Sequence, residues 1–486
     1  MNRSPPALSD SVLFFLAFFH PKTDTMSNVR DFGAAGDGQT DDTQAVEHAV
    51  AEGEGLITFP PGAYVITRTI KVELSRRGRF AIDGSGGTAK ILMAGEGPAF
   101  HLLGTHEKTA DPPGFKPGIW QRERMPTVSS IEVEGRHDRA SGFLLEGTMQ
   151  STFEGVLLRE LEDGIRVHDR ARNVLISHCH IYNNRGIGIF FDRVNLHQAI
   201  ITGSHISYCR KAGIKTVGSE IRNLQITGND IEYNFDLNEK DCADIYIDST
   251  ADGSSVREGT IVSNTIQAKY SPGGANVRMV GRSAAESHKA GMFTISGNLI
   301  GSQETNVHLV ACRGVVVSGN LVYSGHQRNI EVDGSRNIVL ASNCFDHNPD
   351  YGPRELCTGL RFADSQDLTL SGSIVHDCQT GQHTVAGAVP LVREGLVEIM
   401  RCQRVNVSGC QVLDGQPFGI FVEDSDQVGI TGTSVLETRR EKKTRAAIRL
   451  RGTGRGNLLA GNMLDRGTEG EVVKDETFQV KMLDDG

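Results

Sequence analysis

A short pattern of apolar and polar positions recurs along the chain and sets the expectation for its fold. The pattern reads apolar-x-apolar-Ser/Thr-Gly-Asn, and its clearest copies lie at 224–229, 293–298 and 315–320. Looser copies end at Cys179, Ser204, Asn264, Asn343, Ser373, Cys410, Thr433 and Asn462. Alternation of apolar and polar residues predicts β-strands. A repeat of nearly fixed period predicts stacked structural units rather than one globular core.

The spacing of the copies predicts one coil of the stack per repeat. Asn298, Asn320 and Asn343 follow one another by 22 and 23 residues, and Cys179 precedes Ser204 by 25. Equivalent residues in stacked parallel strands lie about 4.8 Å apart. Asparagines on successive coils can therefore pass hydrogen bonds from one side-chain amide to the next. We expect these asparagines to be structural.

Residues 28–66 carry a different pattern, a glycine-punctuated turn followed by a short helix. Asp41 is predicted to cap the helix, with Gln44 as its capping-box partner. The apolar stripe of the helix consists of Ala45, Val46, Ala49 and Val50. Residues 55–66 predict two short strands around a Pro-Pro-Gly turn. Because a solenoid must cover its open end, we expect this helix to be an N-terminal cap.

The same segment resembles a known signature. The stretches 31–34, 36–43 and 59–64 (DFGA, GDGQTDDT and FPPGAY) are similar to the N-terminal signature of the pectate-lyase-like superfamily. Its members include polygalacturonase-like hydrolases, other β-helix glycanases and phage tailspikes. The resemblance implies an all-β fold, a single-stranded right-handed parallel β-helix with a short N-terminal capping helix. The Asn-Thr-Asp, Asp-Asp, Gly-His-Gly and Arg-Ile-Lys motifs of polygalacturonase-like hydrolases have no matching set here, so no catalytic residue is carried over.

The domain prediction follows from these patterns. It consists of a leader or mis-assigned start at 1–25 that we expect to be disordered, a cap with the first coils at 26–110, the β-helix at 111–470 and a C-terminal tail at 471–486. The apolar run Val12–Phe19 could belong to a signal peptide, although it is too short to span a membrane. The localisation stays open: secreted if 1–25 is a signal peptide, cytoplasmic if translation starts at Met26.

Net charge and cysteine content limit the classes of ligand and metal site that the sequence supports. The net charge is −10, without a basic block, which argues against nucleic acid as a partner. Nine cysteines without CxxC spacing predict neither a zinc site nor a redox dithiol. Cys179 and Cys410 occupy repeat positions, which favours reduced, buried thiols. We expect a monomer or a homotrimer that contacts neither nucleic acid nor a membrane and binds a poly- or oligosaccharide.

A second strand in each coil carries the candidate chemistry. Strand side chains alternate between the two faces, so the apolar positions point inward and the others outward. One outward column reads Arg166, Phe190, Lys215, Tyr246, Arg278, His308, Glu331, Arg361, Phe421 and Arg449. The adjacent column includes His168, Asp192, Asp248, Asp333 and Glu423. Loops expected at 235–243, 249–258 and 281–290 flank the strands of Tyr246 and Arg278, which predicts a ligand cleft there.

Paired carboxylates in this cleft would support glycoside hydrolysis, which uses one as acid and one as base or nucleophile. The candidates are Asp244, Asp248, Glu331 and Asp333. Glu331 and Asp333 lie on one face of one strand, with Cα atoms roughly 6.5–7 Å apart, which admits an inverting arrangement. Asp248 lies three coils away, about 14 Å along the axis. Its partner could be a loop carboxylate, Asp241 or Glu239, or its strand neighbour Asp244, which we expect on the outer face.

Basic and aromatic side chains on the same face would support a lyase instead. Lys215, Tyr246, Arg278, His308 and Arg361 could bind an acidic sugar, and a Lys, Arg, His or Tyr could act as the base of β-elimination. Neither a metal site nor a cofactor is predicted, with Ca²⁺ as an option if the protein is a lyase. The expected function is cleavage of glycosidic bonds in an acidic, uronate-containing glycan, with hydrolysis placed ahead of elimination. A non-catalytic glycan-binding or structural β-helix is the third possibility.

Overall fold

Parallel strands stack into three ladders that wrap around one apolar interior. The structure, a computed structural model, describes residues 27–107, 116–282, 289–350, 357–377 and 392–483. Within them, successive coils add strands to each ladder in turn, and the strands pair with those of the coils before and after. The predicted all-β parallel β-helix with a short N-terminal capping helix is confirmed.

The first ladder carries the outward columns. Its strands are Ile70–Glu73, Gly97–Leu103, Ala140–Met149, Ile165–Ser177, Ile187–Thr202, Ala212–Val217, Ala243–Ser249, Ala275–Gly281, Thr305–Val310, Arg328–Asp333, Leu360–Ala363, Val397–Met400, Phe418–Glu423, Ala446–Arg451 and Val472–Lys474. Two of these strands, Ile165–Ser177 and Ile187–Thr202, continue around a corner into the second ladder.

The second ladder contains the repeated apolar-x-apolar-Ser/Thr pattern. Its other strands are Ser27–Asn28, Leu56–Thr58, Ala81–Asp83, Thr127–Ser129, Thr152–Glu154, Glu220–Thr227, Ser255–Val262, Ala290–Ser296, Cys312–Ser318, Arg336–Ala341, Gln366–Ser371, Gln403–Ser408, Asp426–Thr431, Gly454–Ala460 and Phe478–Leu483.

The third ladder follows the Gly-Asn corner and consists mostly of short strands. They are Asp37–Asp41, Gly62–Ile66, Ala89–Met93, Glu132–Gly135, Leu157–Arg159, His180–Tyr182, His205–Ser207, Asp230–Glu232, Thr265–Gln267, Leu299–Gly301, Leu321–Tyr323, Cys344–Asp346, Ile374–His376, Gln411–Leu413, Ser434–Leu436 and Met463–Leu464.

Helices are short and lie near the N-terminal end. They comprise a 3₁₀ turn at Val29–Phe32, α-helices at Thr43–Glu52 and Leu74–Arg77, and a π-helical turn at Ile119–Glu123. Within the described residues, no helix has the length and apolar character needed to cross a bilayer.

The N-cap residue of the capping helix lies one position later than expected, although the side chain of the expected Asp41 is the one that bonds the helix start. The helix begins at Thr43 with Asp42, not Asp41, at its N-cap. The Asp42 carboxylate accepts hydrogen bonds from the backbone N–H groups of Ala35 (2.6 Å) and Gly36 (3.2 Å). Asp41 accepts the N–H of Thr43 at 3.0 Å. The acidic pair of the signature therefore ties the glycine turn to the helix start.

A ladder of buried asparagines joins the coils at the corner between the second and third ladders. The side-chain oxygen of Asn298 accepts the backbone N–H and the side-chain amide of Asn264, at 2.9 and 3.0 Å. Asn298 in turn donates from both groups to Asn320, at 2.9 and 3.0 Å. The same contacts link Asn229 to Asn264 and Asn320 to Asn343. The structural role predicted for these residues is confirmed.

The cysteines within the described residues behave as small core side chains. All eight of them are free, and seven are buried. The N–H of Cys179 donates to Ser204 at 3.1 Å, and that of Cys410 donates to Thr433 at 3.4 Å, so both fill positions of the asparagine ladder.

Candidate functional site

The first ladder brings the predicted outward column together in one register. Direct pairing runs through Lys215, Tyr246, Arg278, His308, Glu331 and Arg361, one residue per coil. Asp248 and Asp333 lie in the adjacent outward column, three coils apart. The expected grouping of these side chains on one face is therefore observed.

Lys215, Tyr246 and Arg278 form a stack on three successive coils. The Lys215 ammonium lies 4.5 Å from the Tyr246 ring centroid, and the Arg278 guanidinium carbon lies 5.6 Å from it. Burial lowers the pKa of Lys215, against the attraction of Asp248. Burial, and then the charge of Asp248, raise the pKa of Tyr246. The stack thus places a lysine that gives up its proton more readily beside a tyrosine that keeps its own.

Arg278 is held in place by a loop that precedes its strand. Its side chain is only 7% exposed. One terminal nitrogen donates to the carbonyl of Gly273, and the other, Nη1, lies 3.5 Å from Asp241. Nη1 is buried and makes no hydrogen bond within the described residues. The ion pair with Asp241 is too long for a good hydrogen bond, so Nη1 can still donate to a closer anionic ligand.

Glu304 and Tyr270 support the same loop, and the sequence interpretation missed both. Glu304 accepts the N–H of Gly273 at 3.1 Å and a hydrogen bond from the Tyr270 hydroxyl. Burial raises the pKa of Glu304. Both residues lie in corner loops between the third and first ladders, where no repeat pattern assigns a direction to a side chain.

His308, Glu331, Asp333 and Arg361 form the second half of the site. Nη1 of Arg361 donates to Glu331 at 2.6 Å and to Asp333 at 2.9 Å, and His308 Nε2 lies 3.5 Å from Asp333. One ligand atom each from His308, Glu331 and Asp333 lie within 4.8 Å of one another, a grouping that could hold a metal ion. Within this cluster, the Arg361 guanidinium bridges the two carboxylates.

Asp244 does not lie on the outer face, and this expectation is wrong. Its side chain is 1% exposed and accepts hydrogen bonds from the Asn234 backbone (3.1 Å), the Asn234 amide (2.9 Å) and the Asn276 amide (2.9 Å). Asp244 is the second residue of the strand Ala243–Ser249, next to the corner, and its side chain turns inward before the regular alternation begins at Ile245. Burial raises the pKa of Asp244 to about 7. A carboxylate enclosed in this way cannot reach a polysaccharide.

Asp248 is partly exposed, but its carboxylate is already hydrogen-bonded within its own turn. Its carboxylate accepts the N–H of Thr250 at 2.9 Å and the Thr250 hydroxyl at 2.7 Å. The loop expected at 249–258 is shorter than predicted, because the next strand begins at Ser255. The other loops differ in outcome: 235–243 supplies Asp241 beside Arg278, whereas most of 281–290 lies outside the described residues.

Beyond Arg361, the outward column contains an acid that the sequence interpretation passed over. Glu398 pairs with Arg361 and with Phe421 in the register, so it stands between them. It is buried and accepts a hydrogen bond from Arg328 at 2.8 Å. The alternation Val-Glu-Ile at 397–399 could have revealed it. Phe421 is fully buried beneath the Arg451 guanidinium, whose carbon lies 4.5 Å from the ring centroid, so the ring is unavailable for a sugar.

Two families match this sequence. The family described as "right handed beta helix region" matches residues 118–284 and 251–435. The family described as "rhamnogalacturonase A/epimerase, pectate lyase-like" matches residues 26–97. The second match covers the N-terminal segment, and it confirms the predicted resemblance to the pectate-lyase-like superfamily.

Individual relatives are distant. Uncharacterized protein YclG of Bacillus subtilis is 23% identical over 420 residues, which cover 76% of this chain and 70% of that protein. A protein named "probable glucan endo-1,3-beta-glucosidase" of Arthroderma benhamiae is 41% identical over 56 residues, 9% of this chain and 6% of that protein. Pre-mature gene product 12 of bacteriophage phi29 has a similar structure, with a TM-score of 0.55 and 14% identity, over 91% of this chain and 57% of the phage chain. That likeness shows the fold alone.

Proposed function

The chain belongs to the right-handed β-helix family, and on this scaffold we propose that it is a carbohydrate-active enzyme that cleaves a uronate-containing polysaccharide by β-elimination. The observation that carries the proposal is the stack of Lys215, Tyr246 and Arg278. It combines a partly buried lysine of lowered pKa, a tyrosine that retains its proton and a buried arginine whose Nη1 makes no hydrogen bond among the described residues, although Asp241 lies 3.5 Å away.

Each member of the stack has a role in the proposed reaction. Arg278 binds the uronate carboxylate and stabilises the charge that develops when C5 loses its proton. Lys215, in its neutral form, takes that proton. The electrons of the C5–H bond form the C4=C5 double bond, the C4–O4 bond breaks, and the Tyr246 hydroxyl donates a proton to O4. Product release leaves Lys215 protonated and Tyr246 ionised, and a proton exchange between them restores the starting state.

Hydrolysis is the second candidate, because Glu331 and Asp333 present two carboxylates within 4.8 Å of each other. Hydrolysis needs one of them as a proton donor. Both, however, accept a hydrogen bond from the same Arg361 nitrogen, an arrangement in which each acts as a charged acceptor. The cluster therefore supports elimination better, with Glu331, Asp333 and Arg361 as a charged wall of the substrate cleft.

Calcium does not fit this cluster in its present arrangement. Ca²⁺ takes six to eight oxygen ligands. Here the nearby groups are two carboxylates and an imidazole, and the positive guanidinium of Arg361 already bridges the carboxylates. The proposed reaction therefore has no step that passes through a metal ion.

The test is incubation of the full chain with polygalacturonate, alginate, hyaluronan and a neutral β-1,3-glucan. Elimination produces an unsaturated uronate that absorbs in the ultraviolet, together with a new reducing end. Hydrolysis produces reducing ends without that absorbance. We expect absorbance from an acidic substrate, loss of activity when its carboxylates are methyl-esterified, and none from the neutral glucan. Reducing ends without absorbance would favour the hydrolase, and no cleavage of any substrate would contradict both.

A further inference from the structure

A groove on the third ladder, away from the first-ladder cleft, has the composition of a sugar-binding site. Its volume is about 470 Å³, and it is lined by His180, Tyr182, Asn183, His205, Ser207 and Tyr208. An aromatic ring beside several small hydrogen-bonding groups is the combination that ligand sites use to hold and orient a polar ring. None of these residues belongs to the stack or the carboxylate cluster described above.

The conformation of Tyr208 is the first argument for a role outside folding. Tyr208 occupies a corner where successive coils adopt a left-handed backbone, and its φ is 56°. Several other coils place a short polar residue at the equivalent left-handed corner, among them Asn183, Ser302 and Ser324, whereas Glu160 and Tyr233 are further long side chains there. A bulky residue with positive φ is an outlier, and such strain concentrates at functional positions. The fold itself therefore favours Asn or Ser here, not tyrosine.

The exposure of the ring is the second argument. Tyr208 is 54% exposed, so its ring is not placed at this corner to fill the core. One ring face is covered by Tyr233 on the next coil, with centroids 5.4 Å apart and planes 9° from parallel. Tyr233 also has φ of 56°, and the Lys269 ammonium lies 5.8 Å from its ring centroid. Tyr233 and Lys269 thus support Tyr208 from behind and leave its other face to the groove.

The polar groups of the groove complete the argument. The imidazoles of His180 and His205 lie edge to face, with centroids 6.1 Å apart, and His205 hydrogen-bonds Asp230. The contact with Asp230 fixes the orientation of the His205 ring beside the groove. His180, Asn183 and Ser207 offer donors and acceptors suited to sugar hydroxyls.

We propose that this groove is a second glycan-binding site, in which a pyranose ring of a polysaccharide stacks on Tyr208 and its hydroxyls are bound by the neighbouring polar side chains. The proposal does not depend on the β-elimination chemistry. It assigns the third ladder to holding the polymer outside the cleft.

The experiment is affinity electrophoresis of the full chain in gels that contain alginate, polygalacturonate or laminarin. We expect retardation of the wild type by at least one of them, and a roughly tenfold loss of affinity in Tyr208→Asn. Tyr208→Phe, which keeps the ring, should bind as the wild type does. Since Asn tolerates the left-handed backbone, Tyr208→Asn should melt no lower than the wild type, and this separates a binding role from a structural one.

The outcomes are distinct from those of the elimination assay. Binding that depends on Tyr208 in a protein without lyase activity would support this site and count against the proposed reaction. Equal retardation of wild type and Tyr208→Asn, or no retardation by any of the three polymers, would contradict the proposal that the groove binds a glycan.

Discussion

The ammonium of Lys215 lies 4.5 Å from the ring centroid of Tyr246, which pairs with it on the next coil. This cation–π contact, worth on the order of 1 kcal/mol, replaces part of the hydration that the partly buried ammonium has lost. It does not replace all of it, because burial still lowers the pKa of Lys215. The position is therefore unfavourable for a purely structural lysine and suited to one that exchanges a proton.

Removing the proposed base should abolish turnover while the fold survives. We expect Lys215→Met to lower kcat/KM on the active uronate polymer by roughly 10²–10⁴-fold. Lys215→Arg should lose as much, because a guanidinium keeps its proton. The matched control is Lys71→Met, since Lys71 lies on the same ladder, half exposed, and pairs with Glu73 at 3.0 Å. Comparable activity in Lys215→Met and Lys71→Met would remove Lys215 from the mechanism.

The pH dependence of kcat/KM should reflect the ionisation of Lys215 and Tyr246. The base must be neutral, so kcat/KM should rise with pH as Lys215 loses its proton, at a pH below the ordinary 10.5. The acid must be protonated, and because the pKa of Tyr246 is raised, the rate should fall only above the ordinary 10.0. Initial rates of absorbance increase across this range give the profile. An acidic limb near the ordinary carboxyl range, without a limb from lysine, would favour hydrolysis.

We expect the positive charge of Arg361 to offset the repulsion between the carboxylates of Glu331 and Asp333. Arg361→Ala leaves these carboxylates and His308 within 4.8 Å of one another without their bridging cation. We expect a lower Tm, and a partial recovery on addition of Zn²⁺ or Mn²⁺ that the wild type does not show. The control is Arg401→Ala, which removes an exposed pair with Asp364 at 2.7 Å. A variant indifferent to both cations would show that the three residues do not form a latent cation site.

The register of the first ladder was predictable because alternation along a strand is a strict geometric rule. The apolar positions around Lys215, Tyr246 and Glu331 fixed which neighbours face outward, and the pairing follows that assignment. The rule fails at the first residues of a strand, next to a corner. Asp244 lies at a corner, and the corner sends its side chain inward.

The other site residues that the sequence did not predict lie in loops and in one strand that was overlooked. Glu304 and Tyr270 reach the site from corner loops whose path is set by contacts with Gly273, a relationship that no period in the sequence encodes. Glu398 escaped because its coil has Leu396 at the position where most coils carry glycine or asparagine. Which charged side chains pair with each other, as Arg361 does with Glu331, depends on differences in distance of a few tenths of an ångström. Such differences are visible only in the three-dimensional structure.

Substitution of a buried asparagine of the ladder should destabilise the fold, whereas substitution of an exposed asparagine should not. Asn298→Ala removes the acceptor for the backbone N–H and amide of Asn264 and the donor to the carbonyl of Ile261. We expect a loss of roughly 2–4 kcal/mol in the free energy of unfolding, because these groups stay buried without partners. The control is Asn406→Ala, at an exposed position on the second ladder. Urea unfolding compares the two, and equal midpoints would contradict the role given to the ladder.

Asp244 occupies a position that neighbouring coils fill with asparagine, and this leads to a prediction about pH. In the register it is equivalent to Asn276, Asn306 and Asn329. Its pKa is raised from 3.8 to about 7 by burial. The folded protein therefore binds a proton at Asp244 that the unfolded chain releases above pH 4. The stabilising effect of this proton is complete below about pH 4 and is lost as the pH rises to about 7.

Asp244→Asn should remove that dependence. An amide cannot ionise, and the side-chain oxygen of Asn276, which has no hydrogen-bond partner among the described residues, could accept a hydrogen bond from the new amide after a flip. Above pH 7 we expect the variant to be more stable than the wild type by up to about 4 kcal/mol, the equivalent of the pKa rise, with the difference shrinking toward pH 4. Urea unfolding of both proteins at several pH values gives this difference, in which the other carboxyl groups cancel. A difference that stays constant from pH 4 to 8 would mean that Asp244 does not change its protonation on folding, and that its three amide and backbone donors stabilise the charge as fully as water does.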